Sequence, residues 1–108
     1  MNELNLTNQL NNLDFVAKTI LQIEKDFGRC NLELNLAPFI DRSSLENNIF
    51  DCIKNLSTEK LQQLIYIVDI PENEYSKIAG TEFFLRALTE KILRREALKV
   101  FLRENLKI

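Results

Sequence analysis

The sequence predicts an all-α fold: a compact bundle of four main helices and one short helix, with the long C-terminal helix at its centre. Three observations carry this. Apolar residues recur at steps of three and four over most of the chain, the spacing of a buried helical face. The stretch Thr81–Asn105 runs without a single Gly or Pro. The breakers that do occur, Gly28, Pro38, Pro71 and Gly80, fall between the periodic segments, where the chain must turn. A chain of 108 residues is one domain, spanning 1–108, with room for one hydrophobic core.

Taken in order, residues 1–6 read as a loosely attached arm. A helix follows from Thr7 or Asn8 to about Phe27, its stripe made of Leu10, Leu13, Val16, Ala17, Ile20, Ile23 and Phe27. Gly28 is expected at its C′ position, where a left-handed backbone costs glycine least. In the passage from about 29 to 42, Cys30, Leu32, Leu34 and Leu36 alternate with polar residues, as in a half-buried strand. Nothing else in the chain pairs with such a strand, so it reads as an extended connector whose leucines fill gaps in the core. The alternatives are a ribbon formed with a second copy, or a short helical turn. Pro38 interrupts this passage, and Phe39 beside it is the aromatic residue expected nearest the surface.

Ser43-Ser44-Leu45-Glu46 has the form of a capping box, with Ser43 as the cap. Leu45, Ile49, Cys52, Ile53 and Leu56 then make a single stripe. Ser57 is expected to cap the next helix, which buries Leu61, Leu64, Ile65 and Val68 and stops before Pro71. Residues Leu64–Ile70 are rich in β-branched side chains, but the cap and the spacing favour helix over strand. A short helix over Glu72–Ala79 closes at Gly80, and Thr81 is expected to cap the last helix.

That last helix is apolar on two sides. Phe84, Leu85, Leu88, Ile92, Leu98, Leu102 and Leu106 gather on one; Phe83, Leu93, Ala97, Val100 and Phe101 gather on the other. A surface helix of a small domain needs one apolar stripe, so the second side calls for cover, from this chain or from another. The expectation is a protein–protein interface at Leu93, Ala97, Val100 and Phe101, most simply a homodimer formed through this helix.

Absences narrow the chemistry. Histidine is missing, and with it the commonest general base and metal ligand. Two glycines cannot make a phosphate-cradling loop. No catalytic residue, cofactor or metal site is expected, and the chain reads as non-enzymatic, with no small-molecule ligand. The acidic group Asp69, Glu72 and Glu74 lacks the glycine and ligand spacing of a calcium loop; acid in a first helical turn suits the helix dipole. No run is long enough to span a membrane, and the N-terminus lacks the pattern of a signal peptide, so a cytoplasmic protein with reduced Cys30 and Cys52 is expected.

One further pattern bears on partners. Lys91, Arg95, Lys99 and Arg103 recur every four residues along the last helix. Residues 81–108 hold seven bases against four acids, while residues 1–80 hold seven bases against twelve acids. A small nucleic-acid-associated regulator would use this stripe against phosphates. The overall charge of −2 and the lack of aromatic residues placed to stack on bases speak for the plainer role, in which the stripe complements the helix dipole and meets the acidic remainder of the fold or of a partner subunit. A helix-turn-helix over residues 58–79 is disfavoured because Glu72 and Glu74 would face the DNA backbone.

Overall fold

The computed structural model describes residues 13–34, 36 and 41–106. The N-terminal arm, the start of the first helix and the pair Pro38-Phe39 lie outside the described residues. Among the described residues five helices follow one another: α1 Leu13–Arg29, α2 Arg42–Ile53, α3 Thr58–Val68, α4 Glu72–Ile78 and α5 Phe84–Asn105. Among the described residues there is no strand. The passage after α1 is a connector, with Leu32, Leu34 and Leu36 packed onto the core and Lys60 Nζ donating to the Cys30 carbonyl at 2.8 Å.

The helix ends show which local forces won. Gly28 does not terminate α1. The helix continues through it to Arg29, and the left-handed residue is Asn31, at φ 60°. Leu32 N donates to the Phe27 carbonyl and Asn31 N to the Gly28 carbonyl, the paired bonds of a Schellman ending with Asn in the glycine's usual place. Ser43 does not cap α2 either. Asp41 does, its carboxylate accepting from Ser44 N at 2.7 Å. A charged acceptor at a helix N-terminus is stronger than a hydroxyl, and it starts the helix earlier. Ser57 caps α3 as expected, accepting from Lys60 N. That helix closes on left-handed Asp69, with Ile70 N donating to the Ile65 carbonyl. Gly80, at φ 79°, supplies the left-handed turn after α4. Thr81 belongs to that turn and not to α5: its hydroxyl donates to the Ile78 carbonyl, and α5 starts at Phe84.

α5 is the central post, touching each of the other four helices. Its buried residues are Leu88, Thr89, Ile92, Leu93, Glu96, Ala97 and Val100. At about 100° per residue these fall within one arc roughly 180° wide. The two apolar sides read from the sequence are therefore the flanks of one broad buried face. α1 (Ile20, Ile23, Phe27), α2 (Leu45, Ile49, Ile53) and α3 (Leu64, Ile65, Val68) close over its N-terminal half. A second cluster joins Phe15 of α1 to Ala97 and Val100. The face expected to await a second chain is covered by this one: Leu93, Ala97 and Val100 are fully buried and Phe101 half-buried. Those first three residues are core.

α1 needs a related correction. Phe15, Thr19, Gln22, Ile23 and Asp26 face inward, so Leu13 and Ala17, placed on the buried stripe by spacing alone, stand on the outer side.

Candidate functional site

The most unusual chemistry lies in the seam between α1 and α5. The two helices run antiparallel, which matches successive turns of one against the other: Lys18 with Glu104, Gln22 with Arg103, Asp26 with Lys99. Most of this seam is ordinary surface pairing. Its middle is not. Asp26 is 2% exposed and Glu96 is wholly buried. Lys99 Nζ stands 2.6 Å from Asp26 Oδ2 and 3.2 Å from Glu96 Oε1, and it also donates to the Ile67 carbonyl of α3 at 3.3 Å. Gln22 Nε2 donates to Asp26 Oδ2 at 3.2 Å.

Two buried carboxyls thus share one partly exposed lysine. Burial alone would raise the Asp26 carboxyl, but hydrogen bonds from Glu96, Lys99 and Gln22 outweigh it and leave the group below its usual value. For Glu96, burial and the neighbouring Asp26 act in the same direction, against the attraction of Lys99, and push it up to about 8. Neither Glu96 oxygen receives an aligned hydrogen bond. Two ionised carboxylates in contact have no proton between them; one protonated and one ionised carboxyl do. A Glu96 value near 8 corresponds to one acid and one carboxylate at neutral pH, with Lys99 beside the one remaining negative charge.

Reading the sequence missed this site. Glu96 stood among the charges of a solvated helix face, and Asp26 was not noticed. A signal was available: on the helical wheel Glu96 falls at the middle of the arc bounded by Leu88 and Ala97, flanked on both sides by core residues.

The four residues of the basic stripe drift around the helix by about 40° per step. Lys91, Arg95 and Lys99 are half-buried at the edge of the packed face, and Arg103 is exposed. Lys91 meets Glu74 of α4 at 3.1 Å, Arg95 meets Asp69 at the end of α3 at 2.9 Å, and Lys99 meets Asp26 of α1. Arg103 Nη1 donates to Gln22 Oε1 at 2.9 Å. Each of the four has a partner within the chain, and two members of the acidic group, Asp69 and Glu74, are among them. Nearer the start of α5, Arg86 lies 3.7 Å over the Phe50 ring and donates to Asn47 of α2.

No family model, curated protein or solved structure matches this chain. Its site must be read from its own residues.

Among the described residues no group of three or more Cys, Asp or Glu is arranged to hold a metal ion, and no helix is long and apolar enough to cross a membrane. Cys30 is buried and Cys52 half-buried; both thiols are free and pushed up by burial, the reverse of an activated nucleophile. A shallow groove of about 380 Å³ is lined by Ile65, Tyr66, Asp69, Ile70, Glu72 and Tyr75. The Asp69 carboxylate is already engaged by Arg95.

Exposed apolar side chains remain at Tyr66 of α3, at Phe83 just before α5, at Leu106 just after it, and along the outer face of α1. Leu13 is 72% exposed and Leu21 65%, with Ala17 exposed between them. Steps of four keep the three within a sector of roughly 80°, and exposed Gly28 falls in the same sector. Asp14, which pairs with Lys18 of its own helix at 3.3 Å, and Lys25, both exposed, stand on one flank of it, about 20° apart in angle but three turns apart in height.

Proposed function

We propose that this chain works by protein–protein association, most simply as a homodimer, and that the contact is the outer face of α1. The observation that supports the reading is the stripe Leu13, Ala17 and Leu21, two large aliphatic side chains and a small one on the solvent side of a firmly packed helix. Two copies of α1 laid antiparallel put Ala17 of each near Leu21 of the other, small against large. An antiparallel pair also brings the same flank of each helix together, end to opposite end. Asp14 then meets Lys25 of the second copy, and Lys25 meets Asp14, so the face complements itself as an isologous contact requires. The C-terminal helix enters only near its end, where half-buried Phe101 packs against the cluster that holds Phe15 of α1.

A single pair of 17-residue helices buries less than the ~800 Å² per partner of a standard interface, so an affinity on the order of micromolar is expected. Sedimentation equilibrium from low to several hundred micromolar tests it. Leu21→Glu should give a monomer with unchanged helical content, and Lys25→Glu should weaken the dimer by setting like charges opposite one another. A wild-type chain that stays monomeric throughout that range would sink the reading.

A further inference from the structure

We propose that Asp26, Glu96 and Lys99 form a one-proton lock on the α1–α5 seam. One proton, carried by Glu96 and shared with Asp26, holds the two helices closed, and its loss leaves two anions in a space that only one lysine can neutralise.

The geometry requires this. Glu96 sits at the midpoint of the buried face of α5 and is wholly inaccessible. The charged groups that face it are few. From α1 comes Asp26, which Arg29 also approaches at 4.0 Å from the rim. From α5 itself comes Lys99, and one turn earlier Arg95, whose Nη2 donates to Asp69 while its Nε is buried without a hydrogen-bond partner. α3 contributes no charge at the centre, only the Ile67 carbonyl oxygen, which accepts one hydrogen bond from Lys99. Lys99 is thus divided among Asp26, Glu96 and a carbonyl, and its charge is already matched by Asp26. A second carboxylate in the same enclosed space has no counter-charge, and a buried unpaired charge is among the costliest features a fold can hold. With a proton between the carboxyls the count closes: one anion, one cation, and a hydrogen bond joining the two helices.

The direction of the pH dependence follows. The folded chain keeps a proton at Glu96 that the unfolded chain releases near the ordinary carboxyl value of 4.5; in the fold the group is raised to about 8. The stabilisation is complete below the unfolded value and declines as pH rises. Above about 8 the folded chain has also lost the proton and the decline stops. Asp26 acts in the opposite sense: its lowered carboxyl stabilises the fold above its ordinary value of 3.8 and ceases to do so as the pH falls through the folded value.

Urea unfolding of the full chain at steps between about pH 5.5 and 7.5 tests the lock. The wild-type folding constant should fall roughly tenfold per pH unit, the slope of one linked proton. Glu96→Gln, which can donate to Asp26 and accept from Lys99 without titrating, should remove that slope. Identical slopes in the two proteins would overturn the proposal. If Glu96→Gln does not fold, infrared spectroscopy of the wild type reads the proton directly. A protonated-carboxyl C=O band present near neutral pH and lost in alkali supports the lock, and its absence at neutral pH overturns it.

Discussion

Lys99 carries more of this fold than any other surface-reaching side chain. Its stem passes out of the core, yet its ammonium binds Asp26, touches Glu96 and caps the Ile67 carbonyl, linking three helices at one atom. Lys99→Met would keep the packing of the stem while leaving the Asp26 carboxylate buried and without its cation. Breaking a buried pair in this way costs about 3 kcal/mol or more, and urea unfolding near neutral pH should show that loss. The neighbouring polar groups ask for less explanation. Thr19 and Thr89 are buried, but each hydroxyl donates to the carbonyl four residues back, to Phe15 and Leu85. At this scale the sequence was legible for the apolar residues and not for the charged ones. Ile23, Ile49, Leu64 and Ile92 declare themselves by type and spacing. Glu96 does not, because a glutamate in a basic-rich helix looks solvated until the helices on both sides of it are in place.

At the level of elements, the two glycines separate backbone need from habit. Gly80 stands at φ 79°, and an added Cβ would meet nothing within 4 Å, so strain alone decides. Gly80→Ala should destabilise by about 1 kcal/mol. Gly28 is helical with equally open space, so Gly28→Ala should stabilise, by up to about 1 kcal/mol. Thermal unfolding of the two variants should move in opposite directions. The sequence placed both glycines at helix ends for the same reason, and only one is there for it. The difference is that the Asn31 turn ends α1 three residues later and frees Gly28 to be helical. The caps tell a similar story. Ser57 was legible because no stronger acceptor competes with it, whereas Ser43 lost its role to Asp41, two positions upstream.

Across the whole molecule, the number and order of the helices, the connector and the central position of the last helix could all be read in advance. The question that could not be answered in advance was what covers the second side of α5. Spacing shows that a side is apolar; it does not show which neighbour reaches it. Here Phe15, at the first described turn of α1, closes over Ala97 and Val100. That assignment separates core from surface by mutation. Val100→Glu puts an unpaired charge in the interior and should remove the several kcal/mol on which a domain of this size depends, abolishing the helical circular-dichroism signal. Leu21→Glu, on the outer face of α1, should leave that signal intact.

The central post has a consequence for how the chain comes into being. Asp26 and Lys99 are 73 residues apart in sequence, and Gln22 and Arg103 are 81 apart. During synthesis α1 to α4 emerge before the helix on which all four pack, so the core they share is incomplete and Asp26 lacks Lys99 until residues 84–105 leave the ribosome. Closure of the whole core is therefore expected to follow the arrival of that last helix.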